Sequence, residues 1–535
     1  MWGKGLDLPS RFRLQLGKWQ LALIVFAAIY AFLLIANLGS ISLQWDELNH
    51  FNGAILLLRG QIWDYIGFNS FYPPLFNLFT TLYFAIGGAS VITGRLVSVT
   101  FTLLSLFVVY KIGKEMYSEK AGFFAAAFFA VMPGIVVLSS VAMIETMLIF
   151  VCSLSLLFFF RWLQRNRNQD LIISVAALVL GVAVKYQIIV VVPIIMVVSV
   201  LVLGRKLDLK KHVSSFVHSK YLYVGIACGC LAAVLLYAFY TSGLMGVWLY
   251  AIQVGNEGQV SYSNRFAAPI FYLIEMVWPY SNQHPISLLL YGLGIAGLAF
   301  FVYRRKPSDK FLLVWFLTAF VIFTLIPNRQ WRYVTPLFPV LAISAAELVT
   351  SGYSAAKQKW KSAKNSKNRK LLSKFAAAFL IVFTFVGVFY SSTDAYTWAV
   401  NDQTHIPIEP AANYIANHPA DNRSVIVLCA TNLFSKDMVW FYLNSASPSQ
   451  MSVYSYPKDA VDAFTPQFNV DNFVSYCQTN RTAYVMLYEY GWTSKYFDSN
   501  LTPQAVYSML NDTGRFTLQA TFGTPPNRVF VFSFK

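Results

Sequence analysis

Charged residues are scarce in this sequence and account for only 12% of its 535 positions. A soluble domain carries about twice that share, roughly a quarter. Hydrophobic residues reach 57%, and the mean hydropathy is +0.53. Apolar runs such as residues 21–38 and 375–390 approach the ~20 residues that span a bilayer. The composition therefore excludes a chain of soluble domains and predicts a polytopic α-helical membrane protein.

Cysteine and histidine are also few, at five and six residues, and their spacing matches no metal-ligand array. Cys429 and Cys477 form a disulfide only if their region faces an oxidising compartment, and the sequence leaves this open. A P-loop, a G-x-G-x-x-G after a strand, an H-E-x-x-H and a credible Ser/His/Asp set are all missing. The metal status of the protein stays unknown at this stage, because ligands distant in sequence are brought together only by folding.

The net charge of +17 would point to nucleic acid in a soluble chain. Here lysine and arginine form short clusters between the apolar runs, which is the pattern of cytoplasmic loops in membrane proteins. No nucleic-acid partner is predicted. The basic residues 4–18 place the N-terminus in the cytoplasm, and the apolar run that follows is interpreted as a retained signal-anchor.

The charge pattern predicts about 11 transmembrane helices within residues 1–392. The run 73–88 is too short to span, and treating it as a surface helix of a first outer loop, residues 39–89, gives 27 lysines and arginines inside against six outside. If residues 73–88 spanned the membrane, every later loop would change sides and this asymmetry would be lost. The predicted spans cover residues 20–38, 90–110, 121–138, 143–162, 171–184, 188–204, 221–241, 285–303, 310–326, 334–350 and 375–392.

Residues 393–535 are more polar and predict a small α/β domain outside the cytoplasm. Strand-like runs occupy residues 424–428, 483–488 and 528–532, and a helix-like run covers 410–417. All of the N-x-S/T sequons lie in this part, which fits an extracytoplasmic location. They are at Asn422, Asn480, Asn500 and Asn511.

Acidic residues mark the first outer loop as the candidate active site. Asp46 and Glu47 follow the first span directly, His50 comes one helical turn later, and Glu145 begins the fourth span on the same side. A helix-start carboxylate is also a common cap, and this alternative stays open for each acid. Several carboxylates gathered at one membrane face suit general-base chemistry.

Three cations lie at separate outer turns: Lys185, Arg329 and Arg332. A single interfacial arginine usually extends its charge towards water, and Arg59 is interpreted in that way. Three cations beside an acidic pair instead indicate an anion site.

Several short motifs occur in a characteristic order: WDELNHFNGAILLLRG, FYPPLF, GRLVSVTF, VAMIETML, VKYQ and NRQWRYVTPLFPVLAI. With the predicted topology, they resemble the C-type (GT-C) membrane glycosyltransferases, and most closely the protein O-mannosyltransferase and aminoarabinose transferase superfamily. The resemblance covers roughly residues 10–350. It implies transfer of a sugar from a polyprenyl-phosphate carrier on the outer side, with inversion at the anomeric carbon.

The resemblance also implies roles for individual residues. Asp46 is similar to the general base, Glu47 to its orienting neighbour and Glu145 to a second acid of the site. The predicted substrate- and phosphate-binding residues are Lys185, Arg329, Arg332, Arg95, Tyr72 and His50. Tyr72 departs from some lipid-A-modifying relatives, which carry a lysine before the proline pair.

The partners expected from this resemblance are the bilayer, a polyprenyl-phosphate sugar carrying mannose or another hexose or pentose, and a glycan, lipid or protein acceptor. No cofactor is predicted with certainty, and a divalent cation is left open. Two other classes stay as alternatives. One is a transporter or flippase for a lipid-linked or anionic solute, which should place ionisable residues at the midplane of broken helices. The other is a scaffold whose outer domain carries the function.

Overall fold

A computed structural model describes most of the chain. The described residues are 17–68, 72–203, 266–278, 284–362, 367–400, 406–420, 423–428, 434–445, 448–449, 451–456, 468–489 and 502–535, with isolated positions between 223 and 253.

The described residues between 17 and 400 form helices joined by turns and short irregular segments, and no strand occurs among them. Short 3₁₀ helices at Tyr186–Val190 and Trp331–Leu337 lead into two of the α-helices. The α-helices are α1 (Lys18–Ala36), α2 (Trp45–Leu58), α3 (Ile62–Phe68), α4 (Leu75–Gly87), α5 (Val91–Met116), α6 (Glu119–Ala130), α7 (Pro133–Ser140), α8 (Glu145–Arg165), α9 (Asn168–Val182), α10 (Val191–Leu203), α11 (Ala268–Glu275), α12 (Leu288–Arg304), α13 (Pro307–Leu325), α14 (Phe338–Ser362) and α15 (Lys367–Val400).

Six helical segments in the described residues are long and apolar enough to cross a membrane, or seven if α6 and α7 count as one bent span. The predicted span 121–138 is interrupted between α6 and α7, which are bent by 63°. Pro133 begins α7, where its missing N–H costs nothing, and proline cannot continue the preceding helix. The predicted span 221–241 lies outside the described residues, and the total of 11 and the sidedness stay predictions.

The first predicted outer loop folds into α2, α3 and α4. Gln44 precedes α2, and its N–H donates to Glu47 Oε2 at 2.8 Å, so that Glu47 caps the helix start. α4 has 13 residues, which give about 20 Å of helix. This length is short of the ~30 Å apolar thickness of a bilayer and agrees with the prediction that residues 73–88 do not span.

α2 packs closely on α5. A side chain at Gly94 would place its Cβ 2.2 Å from Phe51 Cε1, a distance that no carbon contact permits. Glycine at this position therefore lets the ring of Phe51 lie against the backbone of α5. The contact fixes the height and rotation of α2, which carries Asp46 and His50.

The last part of the chain forms a five-stranded sheet with strand order β2-β1-β3-β5-β4. β1 pairs in parallel with β2 and β3, while β5 pairs antiparallel with β3 and β4. The strands predicted at 424–428, 483–488 and 528–532 are confirmed as β1, β3 and β5. The elements are α16 (Ile408–Asn417), β1 (Ser424–Leu428), α17 (Lys436–Ser445), β2 (Ser452–Tyr456), α18 (Val470–Thr479), β3 (Thr482–Tyr488), α19 (Pro503–Asp512), β4 (Phe516–Phe522) and β5 (Val529–Phe534).

This C-terminal part packs on α2 through α17. Arg59 donates to the side-chain and backbone oxygens of Asn444 at 2.8 and 2.6 Å. The ring of Phe441 lies 5.3 Å from that of Phe51, centroid to centroid. Arg59, interpreted from the sequence as an interfacial residue reaching water, thus joins α2 to the C-terminal part. Cys477 is buried there, and Cys429 lies outside the described residues.

Candidate active site

A cavity of about 800 Å³ lies where α2, the start of α8 and the end of α13 meet the two 3₁₀ helices. Six residues predicted for the site line it, and polar neighbours and a broad apolar wall complete it. The predicted residues are Asp46, His50, Tyr72, Glu145, Lys185 and, from the second 3₁₀ helix, Arg332. The folding of the chain therefore brings together residues from four distant segments.

Asp46 and Arg332 form the first of two ion pairs at the cavity. Arg332 Nη1 donates to Asp46 Oδ2 at 2.6 Å. Its Nη2 donates to Gln330 Oε1 at 3.0 Å. The side chains of Asp46 and Arg332 keep 37% and 27% of their surface exposed, so that both groups remain open to a ligand.

Glu145 and Lys185 form the second ion pair. Lys185 Nζ donates to Glu145 Oε1 at 2.8 Å and lies 5.6 Å from the ring centre of Tyr333. Glu145 is almost fully buried, and within the described residues its Oε2 has no hydrogen-bond partner. A buried, unsatisfied carboxylate oxygen is costly. It gives this end of the cavity capacity for one further donor.

His50 and Tyr72 line the same cavity. His50 Nδ1 is 2.6 Å from Asn77 Oδ1, and burial lowers the pKa of the imidazole below its ordinary value of 6.5. His50 is therefore neutral at pH 7. Burial and the nearby Asp46 raise the pKa of the Tyr72 hydroxyl, which stays protonated.

Glu47 and Arg95 do not line the cavity. They form a buried ion pair, in which Arg95 Nε and Nη2 donate to Glu47 Oε1 and Oε2 at 2.8 and 2.7 Å. The backbone N–H of Ala142 donates to Glu47 Oε1, and Arg95 Nη1 donates to the carbonyls of Leu38 and Ile41. This geometry corrects the sequence interpretation of Glu47 as a catalytic group and of Arg95 as a phosphate ligand, because both charges are neutralised away from the cavity.

Arg329 also lies outside the cavity lining. Its Nε donates to the carbonyl of Thr324 at 3.1 Å, which ties the turn after α13 to the end of that helix. The expectation that Arg329 belongs to the anion site is therefore not supported by its position, although Arg332, three residues later, does face the cavity.

The polar lining residues that the sequence analysis missed include Asn49, Gln187 and Tyr333. Each had a signal. Asn49 follows Asp46 by three positions and so shares its helix face. Gln187 and Tyr333 directly follow the recognised segments around Lys185 and Arg332.

An apolar wall closes one side of the cavity. It continues from the two ion pairs along the first 3₁₀ helix and the end of α13. Its members are Ile189, Val190, Ile322, Phe323, Leu325 and Ile326. The site therefore combines a charged head region with a hydrocarbon-compatible flank. Among the described residues, no three His, Cys, Asp or Glu side chains are grouped as metal ligands.

Comparisons with known proteins define the class to which this fold belongs. Residues 72–237 match the family model described as "Dolichyl-phosphate-mannose-protein mannosyltransferase". No curated protein sequence matches the chain.

Solved structures cover nearly the whole chain. The apo structure of ArnT from Cupriavidus metallidurans is 14% identical, with a TM-score of 0.63 over 96% of this chain and 97% of that one. The same protein bound to undecaprenyl phosphate has a TM-score of 0.58, with 14% identity over 96% and 98% of the two chains. The Archaeoglobus fulgidus oligosaccharyltransferase in its apo form has a TM-score of 0.53, with 15% identity over 88% and 69%.

The resemblance predicted from the sequence motifs is confirmed. The chain has the fold of the C-type (GT-C) membrane glycosyltransferases, and it combines a helical part that contains apolar spans with a small C-terminal sheet.

Proposed function

We propose that this protein transfers a sugar from a polyprenyl-phosphate-linked donor to an acceptor hydroxyl on the outer side of the membrane, with inversion at the anomeric carbon. One observation carries the proposal. Two carboxylate–cation pairs, Asp46–Arg332 and Glu145–Lys185, face a single cavity whose flank is apolar. A lipid phosphate needs both a cationic site and a hydrocarbon surface.

Lys185 and Arg332 are the cations proposed to hold the donor phosphate. At ~4 Å and an effective dielectric constant near 20, each would interact with one phosphate charge by about 4 kcal/mol. This attraction increases as the bond to the sugar breaks, because negative charge then accumulates on the leaving phosphate. The isoprenoid chain would lie along the apolar wall around Phe323 and Ile326.

The reaction is a single displacement. The oxygen of the acceptor hydroxyl bonds to the anomeric carbon while the bond from that carbon to the phosphate oxygen breaks. The Asp46 carboxylate receives the hydroxyl proton, and the polyprenyl phosphate leaves with the electron pair. The attack comes from the face opposite the leaving group and therefore inverts the anomeric centre.

The ion pair between Asp46 and Arg332 fits this sequence of events. Arg332 Nη1 donates to Asp46 Oδ2, and a bound phosphate would compete with Asp46 for the guanidinium. Binding of the donor would then turn Arg332 towards the phosphate and leave Asp46 to act as the base. In this way the donor itself prepares the site for the acceptor.

The matched relatives support a lipid-linked donor, since one of them is described in complex with undecaprenyl phosphate. The family description names mannose, and mannose or another hexose or pentose is the sugar proposed for this chain. The acceptor is a glycan, lipid or protein hydroxyl. We further propose that residues 1–392 form the transferase domain, with a cytoplasmic N-terminus, and that residues 393–535 form an extracytoplasmic domain.

The proposal is tested with the purified full chain in liposomes. A panel of decaprenyl-phosphate donors carrying mannose, glucose or arabinose is supplied with a mixture of oligosaccharide, lipid and peptide acceptors, and products are identified by mass spectrometry and NMR. We expect transfer from at least one donor with inverted anomeric configuration. Movement of the donor or of a solute across the bilayer without sugar transfer would instead support the transporter alternative.

A further inference from the structure

His50 lies one helical turn beyond Asp46 and faces the same cavity. Its orientation is fixed by a buried polar chain. Asn77 Nδ2 donates to Tyr65 Oη at 3.2 Å, so that the carbonyl oxygen Oδ1 of the same amide faces His50 Nδ1 at 2.6 Å. An amide oxygen only accepts, and Nδ1 must therefore carry the proton.

This arrangement determines the chemistry of the other ring nitrogen. A neutral imidazole with its proton on Nδ1 presents Nε2 as a hydrogen-bond acceptor. Within the described ranges, no protein donor is seen at His50 Nε2. The ring is flanked by Phe76 and Tyr72, whose centroids lie 4.6 and 5.3 Å away. An acceptor atom between two aromatic surfaces suits a ring that carries both C–H faces and hydroxyl groups.

Gly53 of α2 leaves room for the hydrogen-bonded side chains of Asn77 and Tyr65. A Cβ at Gly53 would lie 2.9 Å from Asn77 Nδ2 and 3.0 Å from Tyr65 Cε2. Glycine thus leaves room for the amide and the phenol beside the helix. His50, Asn77 and Tyr65 are exposed by 2%, 0% and 1%. A network of buried polar side chains is costly unless each polar group has a hydrogen-bond partner. The network of Tyr65, Asn77 and His50 ends at the cavity, which His50 lines.

We infer that His50 Nε2 accepts a hydrogen bond from a hydroxyl group of the transferred sugar, and that His50 is a specificity-determining residue of the donor site. The inference rests on the proposed function and deepens it. A site that hydrogen-bonds a hydroxyl rejects analogues that lack it, because its own polar atom is then left unpaired. The Asn77–Tyr65 chain acts through His50 and positions it.

Two substitutions separate the two ring nitrogens. In His50→Gln the side-chain amide reaches the position of Nε2 and keeps an acceptor there, whereas in His50→Asn the shorter amide replaces Nδ1 and can still donate to Asn77. With decaprenyl-phosphate mannose as donor, or the active member of the donor panel, we expect His50→Gln to stay within a few-fold of wild type. We expect His50→Asn to lose roughly tenfold or more in kcat/KM, with an unchanged Tm and an unchanged KM for the acceptor.

The opposite pattern overturns the inference. If His50→Asn is as active as wild type and His50→Gln is impaired, the ring matters only through Nδ1 and the fold. A loss confined to the acceptor KM also overturns it. Failure of the wild-type protein to transfer any sugar overturns the proposed function and this inference together, whereas transfer that survives in His50→Asn overturns the role of His50 alone.

The tautomer offers a readout that is independent of turnover. In ¹⁵N-histidine-labelled protein in nanodiscs, with His50→Gln used for assignment, NMR should show His50 neutral and protonated on Nδ1. A proton on Nε2 would contradict the inference, because that nitrogen could then not accept a hydrogen bond.

Discussion

Glu47 and Arg95 form an ion pair in which neither side chain has any exposed surface. It joins the start of α2 to α5, and the backbone N–H of Ala142 and the carbonyls of Leu38 and Ile41 complete its hydrogen bonds. The pair therefore anchors the turn of helix that carries Asp46. The charges of Glu47 and Arg95 are neutralised inside the protein, whereas the carboxylate of Asp46, one position before Glu47, lines the cavity.

Breaking this pair should destabilise the protein strongly. Glu47→Gln leaves the buried guanidinium without its counter-charge, and we expect a loss of about 3–5 kcal/mol in the free energy of unfolding. Glu119→Gln is a suitable control, since Glu119 and its partner Lys114 are both substantially exposed and such pairs contribute at most about 1 kcal/mol. Denaturant unfolding of the two variants measures the difference, and equal losses would contradict the anchoring role.

Removal of Lys185 should weaken donor binding, because the proposed phosphate site then keeps only one cation. Lys185→Met also leaves the buried Glu145 unpaired, so the informative protein is the double variant Lys185→Met/Glu145→Gln. We expect the double variant to be more stable than Lys185→Met alone, yet to bind decaprenyl phosphate at least roughly tenfold more weakly than wild type. Glu145→Gln with Lys185 retained is the matched control. Equal decaprenyl phosphate affinity in the double variant and this control would exclude Lys185 from the phosphate site.

Phe441 should couple the C-terminal part to α2. Its ring is fully buried and lies against Phe51 and Phe84. Phe441→Ala should cost about 3–5 kcal/mol in the free energy of unfolding. Leu518→Ala, at a half-exposed position of the edge strand β4, should cost much less. A small effect of Phe441→Ala on thermal unfolding would show that the contact with α2 contributes little to stability.

His50 should make stability pH-dependent. Burial lowers its pKa in the folded state, and the nearby Asp46 and Glu145 oppose this while Lys185 adds to it. A group whose folded pKa is depressed contributes stability that is complete above its unfolded pKa, here 6.5, and is lost as the pH falls through the folded pKa. Thermal unfolding should therefore shift to lower temperature below pH 6.5, and this shift should be reduced in His50→Gln. If the thermal unfolding temperature of His50→Gln depended on pH in the same way as that of the wild-type protein, protonation of His50 would not be the cause of the shift.

Much of the site could be predicted because the asymmetry of lysine and arginine predicts which loops share a membrane face. That reasoning placed Asp46, Glu145, Lys185 and Arg332 together, although 286 positions separate the first from the last. It could not separate Asp46 from Glu47. Neighbours in a helix point about 100° apart, so that one faces the cavity and the other the interior, and only the packing of α2 on α5 decides which.

Two features of the fold were not predicted from the sequence: the edge strands of the sheet and the break between α6 and α7. Each has an explanation in the residues of the segment itself. β1, β3 and β5 form the centre of the sheet and are continuous apolar runs. The edge strands β2 and β4 were not predicted, because several exposed positions interrupt each of them and weaken the apolar pattern. The break between α6 and α7 has a sequence signal in Pro133, which lies inside an otherwise unbroken apolar run.

The most direct test of the account is sugar transfer by Asp46→Asn. The substitution keeps the size of the side chain and removes the proposed base, so the rate should fall by about 10²–10⁴-fold. Binding of decaprenyl phosphate and the Tm should be retained. A transfer rate equal to that of the wild-type protein, with the same donor and acceptor, would contradict the central claim that the reaction takes place at Asp46.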